Sequence, residues 1–222
     1  MAVLVLVHGG SMSTETWNRL TTGAPVHTED GRMGARIWDP VVPLLTAHGH
    51  RVFTPALIDE HCTDLTGHIL QLCTLIADRG LTNIVLAGHS YGGMVITGAA
   101  ARLEGRVRHL VYIDAALPAP GQSLFDLIAA AGIDPFSCAG LEPAPPYTEK
   151  PQFDPRDLEP VGKTYVYCTE SDFVRVSREA LKTVAGVPGW TFMGLPSSHV
   201  PMAEMPDEVA WVLLDAVKRA GM

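Results

Sequence analysis

The sequence predicts an α/β protein with a mostly parallel, doubly wound sheet. Short apolar runs rich in β-branched residues alternate along the chain with segments of helical periodicity. This alternation is typical of a parallel sheet with helices on both faces. The 222 residues are 47% hydrophobic and 18% charged, which suits a globular protein with one large core. We therefore expect a single domain over residues 1–222.

The strands are predicted from apolar runs flanked by turn residues. Residues 2–7 form an uninterrupted apolar run, as expected for a parallel strand buried on both faces. Residues 83–87 form a similar run, and residues 110–113 are the most apolar part of the next strand. The six predicted strands cover residues 2–7, 51–54, 83–87, 106–113, 164–168 and 190–193.

The helices are predicted where capping residues precede an apolar stripe. Asp64 or Thr63 begins a helix that ends at Gly80. Pro206 begins the last helix, because proline fits the first helical turn. The small apolar residues at 93–100 predict a tightly packed helix. The stripes of the first and last of these helices consist of Leu65, Ile69, Leu72 and Ile76, and of Val209, Val212, Leu213, Ala216 and Val217.

Two long segments interrupt the alternation. Residues 115–162 carry nine prolines and lie between two predicted strands, with one predicted helical piece at 121–131. Loops of this length in compact domains are usually lids or binding elements, so we expect a cap. Residues 18–37 are polar and rich in turn residues, and the sequence leaves open whether they form a gate or a surface excursion.

The stretch Gly88-His89-Ser90-Tyr91-Gly92 separates the strand at 83–87 from the small-residue helix. A G-x-S-x-G between strand and helix forms a sharp, strained turn that exposes a nucleophilic serine. Gly88 and Gly92 are expected to be needed because side chains there would collide across the turn. Ser90 is therefore the predicted nucleophile.

A serine hydroxyl needs a base, and the base needs an orienting carboxylate. His199 and Asp172 follow Ser90 in the chain order Ser–Asp–His, and each lies in a loop just after a predicted strand. Open α/β sheets place their ligands at this edge. Asp172 is the preferred carboxylate, and Asp114 and Glu170 remain alternatives.

An oxyanion intermediate also needs amide donors. One is expected from Tyr91, which follows the nucleophile, and one from Gly10 in the loop after the first strand, with Ser11 as the alternative. Five residues near these positions are candidates for substrate binding. They are Ser11, Met12, Phe125, Phe173 and Val200.

Composition argues against several other classes of function. The formal net charge is −8 without a Lys/Arg cluster, so no nucleic-acid partner is expected. The apolar run at the start of the chain is too short to span a membrane, and we expect a cytoplasmic protein. The four scattered cysteines lack metal-ligand spacing, and no dinucleotide or phosphate-loop motif occurs. We expect no metal and no cofactor. The oligomeric state cannot be read from the sequence.

Four stretches together resemble the α/β-hydrolase superfamily, and more closely its small members that include plant methyl esterases and hydroxynitrile lyases. They lie at residues 7–10, 88–93, 111–118 and 198–202. The resemblance implies an α/β-hydrolase fold with a small cap inserted before the catalytic-acid strand. It also implies Ser90, Asp172 and His199 as a catalytic triad, oxyanion amides at Gly10 and Tyr91, and no cofactor.

The function predicted from these residues is that of a serine hydrolase acting on a small-molecule carboxylic ester, thioester or lactone through an acyl-enzyme. Two alternatives remain: a non-hydrolytic enzyme of this fold, such as a lyase, and a ligand-binding protein on the same scaffold. Hydroxynitrile lyases of this type carry a lysine beside the catalytic-histidine loop, whereas this chain has Ser197 and Ser198 there. That difference argues against lyase activity.

Overall fold

The computed structural model describes residues 1–10, 12–138, 141 and 143–222. Within them, six strands form one open sheet in which every neighbouring pair is parallel, with the spatial order β2-β1-β3-β4-β5-β6. The predicted fold class is confirmed. The strands are β1 (Val3–Val7), β2 (Arg51–Phe53), β3 (Ile84–His89), β4 (Val107–Ile113), β5 (Gly162–Cys168) and β6 (Trp190–Leu195).

Helices connect the strands and flank the sheet. The longest begin at the predicted residues: the side chain of Asp64, not Thr63, accepts a hydrogen bond from the Gly67 amide at 2.7 Å, and Pro206 begins the last helix. The α-helices are α1 (Thr14–Leu20), α2 (Val42–Ala47), α3 (Leu65–Asp78), α4 (Gly92–Ala100), α5 (Leu124–Ala130), α6 (Pro145–Thr148), α7 (Val174–Val184), α8 (Pro201–Glu204) and α9 (Pro206–Arg219). Short 3-10 helices cover Gly34–Trp38, Pro135–Ser137 and Pro155–Leu158.

Two strands extend beyond their predicted ends. β3 continues to His89 and β6 to Leu195, where they pair with Ile113 and Cys168 respectively. The apolar pattern of each run is interrupted by a glycine, but a parallel ladder needs only backbone groups. The strands therefore reach further toward the loops than their side chains indicate.

The core consists of two apolar layers, one on each face of the sheet. Alternate residues of β1 point to opposite layers: Val5 and Val7 pack with α3, α4 and α7, whereas Leu4 and Leu6 pack with α2 and α9. Burial on both faces explains why the strands are almost continuously apolar.

The strand order reverses between β1 and β3. From β1 the chain crosses to β2 on one side of the sheet, and from β3 onward it proceeds toward the other side. The loops after β1 and β3 therefore diverge, and such a point is where open α/β sheets form a binding crevice. Gly9, Gly10 and Ser90 lie in these two loops.

The two long segments have structure of their own. The segment between β4 and β5 contains α5 and α6, and the predicted helical piece at 121–131 is α5, which begins with a capping box between Ser123 and Asp126. Residues 18–37 include the end of α1 and then turn back to its first residue, where the Thr14 amide donates to the Gly31 carbonyl at 2.8 Å. No helix in the described part of the chain is long and apolar enough to cross a membrane.

Helix α4 packs unusually close to its neighbours because it contains three glycines. A β-carbon on Gly93 would overlap the carbonyl oxygen of Ala116, and one on Gly98 would overlap the side chain of Ile69 on α3.

We expect Gly93→Ala to lower the free energy of unfolding by about 1–3 kcal/mol, measured by urea denaturation. Gly23→Ala is the control, since a β-carbon there meets nothing within 4 Å. Equal stability of the two variants would contradict the proposed close packing.

Candidate active site

Ser90 lies at the sharp turn between β3 and α4. Its φ of 53° is in the left-handed region, which is strained for a residue other than glycine. A β-carbon on Gly88 would lie 2.6 Å from the backbone of Gly92, and one on Gly92 would lie 2.7 Å from the carbonyl oxygen of Val7. The first collision is the one predicted across the turn. The second is with β1, so the turn is also pressed against that strand.

His199 lies in the loop between β6 and α8, and hydrogen bonds hold this loop from two sides. On one side, His89 Nε2 donates to the His199 carbonyl oxygen at 2.6 Å, and the two imidazole rings are 4.7 Å apart. On the other, the Ser197 hydroxyl and the Ser198 amide both donate to the Glu204 carboxylate at 2.8 Å. Because His89 adjoins Ser90 in the chain, this network brings the His199 loop to the serine turn.

The carboxylate that faces His199 belongs to Asp114. Oδ2 of Asp114 lies 2.7 Å from His199 Nδ1, and because a carboxylate only accepts, Nδ1 carries the proton. Asp114 directly follows β4, is fully buried and has a φ of 42°. Its carboxylate also accepts from the Ser171 hydroxyl at 2.5 Å, the Ser177 hydroxyl at 2.7 Å and the Cys168 amide at 3.3 Å.

These hydrogen bonds keep the buried carboxyl group ionised. Burial alone would raise the pKa of Asp114, but the hydrogen bond from His199 and its electrostatic attraction, together with the hydroxyls of Ser171 and Ser177, outweigh that effect. The pKa of Asp114 therefore lies below its usual value. The imidazole of His199 is fixed in one tautomer, with Nε2 left to accept a proton.

The prediction that Asp172 faces His199 is wrong in this structure. Asp172 and Glu170 are both exposed, and Ser171 between them is the buried residue. The Ser171 hydroxyl accepts from the Phe173 amide at 2.9 Å, so the turn into α7 points Ser171 inward and Asp172 outward. The carboxylate that faces His199 therefore precedes the predicted cap at 115–162, since Asp114 is the residue before this segment.

The two candidate oxyanion amides, of Gly10 and Tyr91, donate to no other described residue. His8 orients the first of them. Its Nδ1 donates to the Gly9 carbonyl at 2.8 Å, and its Nε2 accepts from the Leu57 amide at 3.0 Å. In a planar trans peptide the Gly10 N–H points opposite to the Gly9 carbonyl, and hence away from the His8 ring. The alternative donor, Ser11, lies outside the described residues.

The structure places two of the predicted substrate-binding residues beside His199. The Phe173 ring is 5.1 Å from the His199 ring, and Val200 follows His199 and is buried in the core. Of the other three, Ser11 lies outside the described residues. The Met12 carbonyl accepts from the Met33 amide, and the Phe125 ring packs edge-on against Phe136.

Several residues around this site were missed by sequence reasoning. Ser171, Ser177 and Glu204 carry no local pattern, because their partners are distant in the chain. His89 is part of the serine motif, so its proximity could have been inferred. Within the part of the chain that the structure describes, its Nδ1 is buried without a hydrogen-bond partner. Burial lowers the pKa of His89 to about 3, so His89 is neutral.

A cavity of about 740 Å³ adjoins the loop after β1. Its wall includes Gly10, Tyr91 and Tyr147 near the site, and charged residues further away, where Arg32 pairs with Asp59 and Glu60 at 3.2 Å. No group of three or more His, Cys, Asp or Glu that could hold a metal ion occurs among the residues described.

Comparisons with known proteins agree with this fold. Residues 4–150 match the model of the alpha/beta hydrolase family. The chain is 31% identical to a carbendazim hydrolyzing esterase of Nocardioides sp. (strain SG-4G), over 73% of this chain and 86% of that protein. It is 30% identical to polyneuridine aldehyde esterase of Rauvolfia serpentina, over 42% of this chain and 39% of that protein. These relatives support esterase or hydrolase activity.

A solved pyrethroid hydrolase from Sphingobium faniae JZ-2 superimposes with a TM-score of 0.72. The alignment covers 98% of this chain and 97% of that one, with 21% sequence identity. At this level of identity the match supports the shared fold alone.

Acidification from pH 7 to pH 5 is expected to destabilise the protein through His8 and His89. Burial lowers their pKa values in the folded protein to about 4 and about 3, whereas an unfolded histidine titrates near 6.5. The unfolded chain therefore binds more protons in this range, so the free energy of unfolding falls as the pH drops through 6.5. Each histidine contributes a slope of up to about 1.4 kcal/mol per pH unit.

Urea unfolding at pH 7, 6 and 5 measures this slope. His89→Gln retains a side-chain donor for the His199 carbonyl but cannot bind a proton. The variant should therefore lose the contribution of one histidine to the slope, which is up to about 1.4 kcal/mol per pH unit. His48→Gln is the control, because His48 is exposed and its replacement should leave the slope unchanged. Identical slopes for wild type and His89→Gln would contradict the assignment of a buried neutral imidazole.

Proposed function

We propose that this chain, which belongs to the alpha/beta hydrolase family, hydrolyses carboxylic esters of small molecules through an acyl-enzyme on Ser90. The observation that carries the proposal is the hydrogen bond between the buried Asp114 carboxylate and the partly exposed His199. The His199 loop is itself hydrogen-bonded to His89, the residue before Ser90. A strained serine, an oriented imidazole and two free amides are the groups that acyl transfer requires.

In the first half of the reaction, Ser90 Oγ attacks the ester carbonyl while His199 Nε2 takes its proton. Ser90 Oγ forms no hydrogen bond within the described residues, and such contacts often tighten only when substrate binds. Asp114 stabilises the imidazolium by accepting from Nδ1. The amides of Gly10 and Tyr91 donate to the oxyanion. The imidazolium then protonates the leaving alcohol, and the acyl group remains on Ser90.

In the second half, His199 takes a proton from water, and the resulting hydroxide attacks the acyl carbon. The same two amides hold the second oxyanion. Collapse of this intermediate breaks the bond to Ser90 Oγ, which recovers its proton from His199. The products are a carboxylic acid and the free serine, so no metal or cofactor enters the reaction.

Residues 115–162 serve as a cap over this site. The segment begins directly after Asp114 and returns over α3, to which α6 is bound by hydrogen bonds from Thr66 to Glu149. Two relatives are named a carbendazim hydrolyzing esterase and a polyneuridine aldehyde esterase, and we infer that this chain likewise acts on an ester that carries a sizeable organic group. The cavity beside Gly10 has room for such a group.

Ser90→Ala tests the nucleophile. Turnover of a series of 4-nitrophenyl esters should fall by about 10⁶-fold, to the level of residual transition-state binding, and labelling by a fluorophosphonate probe should vanish. Ser137→Ala is the serine control, because Ser137 is exposed and, among the described residues, its hydroxyl bonds only to the Asp134 carbonyl. If folded wild-type protein shows neither turnover nor labelling, the hydrolase proposal fails. Labelling and turnover that persist in Ser90→Ala would assign the nucleophile elsewhere.

Asp114→Asn tests the acid. An amide cannot stabilise the imidazolium and can hold His199 in the wrong tautomer, so kcat should fall by about 10⁴-fold. Asp172→Asn is the matched control, since that side chain is exposed, and its kcat should stay within about twofold of wild type. The reverse pattern, with loss in Asp172→Asn alone, would restore Asp172 as the acid and overturn the assignment of Asp114.

A further inference from the structure

Tyr147 brings a phenol hydroxyl from the cap to the loop of Gly10. The residue is only 2% exposed, and its ring packs edge-to-face on Tyr91 with the centroids 5.0 Å apart. Its hydroxyl oxygen lies 2.8 Å from where a β-carbon on Gly10 would stand. One carbon–carbon bond adds about 1.5 Å, so this oxygen is within about 4.3 Å of the Gly10 Cα. The side chain thus contacts both residues that carry the candidate oxyanion amides.

The hydroxyl of Tyr147 has no hydrogen-bond partner among the described residues, although its neighbours are satisfied. The Tyr91 hydroxyl lies 2.8 Å from His68 Nδ1, and His68 Nε2 donates to the Ile58 carbonyl at 2.8 Å. A phenol hydroxyl that is not bonded to the protein is free to donate to another acceptor. Tyr147 and Gly10 both line the 740 Å³ cavity, so a bound molecule can supply the missing acceptor.

The position of Tyr147 is fixed by the segment around it. Helix α6 begins with Pro145 and Pro146, whose rings restrict the backbone. Two residues after Tyr147, the Glu149 carboxylate accepts from the Thr66 amide at 2.9 Å and from the Thr66 hydroxyl at 2.5 Å. The hydroxyl is therefore held in place before substrate arrives, which is the condition under which a donor stabilises a transition state efficiently.

We propose that the Tyr147 hydroxyl is a third donor to the oxyanion, binding the same substrate oxygen as the amides of Gly10 and Tyr91. This inference rests on the proposed function. As the carbonyl oxygen gains negative charge, Tyr147 strengthens its hydrogen bond to that oxygen and keeps its own proton. Burial raises the pKa of Tyr147 above its usual value, so the phenol is a neutral donor throughout the working pH range.

Gly10 has a second requirement under this assignment. Any side chain at position 10 would meet the Tyr147 hydroxyl and displace it from the oxyanion. The glycine thus allows both the backbone amide and the phenol to approach one substrate oxygen.

Tyr147→Phe tests the assignment, because it removes the hydroxyl and keeps the ring against Tyr91. With 4-nitrophenyl esters, kcat and kcat/KM should fall together by about 100-fold, because the hydrogen bond is strongest in the transition state. Fluorophosphonate labelling of Ser90 should persist at a reduced rate. Tyr112→Phe is the control: it removes a buried hydroxyl that is bonded to Thr97 at 2.9 Å, and its kcat should remain at the wild-type value.

A trifluoromethyl ketone, which forms a tetrahedral adduct with an active-site serine, provides a second measurement. Its affinity should fall in Tyr147→Phe by the same factor as kcat/KM, since the adduct carries the oxyanion. Thr66→Val, which removes one of the two hydrogen bonds to Glu149, should lower kcat less. It should add little further loss in the Tyr147→Phe background, because both changes act through one hydroxyl.

The outcomes separate this inference from the function on which it rests. An active wild type with unchanged kcat in Tyr147→Phe, or with a raised KM alone, overturns the Tyr147 assignment and leaves the hydrolase proposal standing. A folded wild type without turnover or labelling overturns both. A third outcome is that Tyr147→Phe loses activity, melts at a lower temperature than Tyr112→Phe and keeps its affinity for the ketone in the folded fraction. The loss of activity would then be a folding effect, and the Tyr147 assignment would be overturned.

Discussion

The burial of one carboxylate constrains the second half of this chain. An ionised carboxyl group removed from water is tolerated only when donors surround it. For Asp114 these donors come from the end of β5, the following turn, helix α7 and the His199 loop. Four separate parts of the chain must therefore assume fixed positions relative to β4. The same requirement orients the imidazole of His199, so the stability of this region and the geometry of the site share one cause.

The part of the site that is formed by the loops after β1 and β3 depends on close backbone packing and not on charge. The turn at Ser90 is pressed against the end of β1 so tightly that Gly88 and Gly92 leave no room for side chains. His8 holds the neighbouring loop through two hydrogen bonds of a neutral ring. The bond from His89 to the His199 carbonyl joins this part of the site to the other. A network of short, specific contacts therefore brings groups from three strand ends to one crevice.

The cap supplies a third contribution from a different direction. It starts at the residue after Asp114 and reaches back to α3 through the Thr66–Glu149 hydrogen bonds. This path carries Tyr147 over the loop after β1, beside Gly10 and Tyr91. A segment rich in proline loses little further entropy when it is held in one conformation, which suits an element that must present a side chain to a fixed point.

The fold class, the positions of the strands and the serine turn follow from the sequence alone, because apolar periodicity and glycine spacing are local properties of the chain. The sequence also predicted His199 in its loop, and the structure pairs that residue with a buried carboxylate. Which carboxylate this is was decided only by the tertiary structure. Asp114, Glu170 and Asp172 all follow strands, and the choice depends on which side chain turns inward. The turn into α7 points Ser171 inward and leaves Asp172 in solvent. Such a choice depends on contacts between distant residues, which no local pattern records.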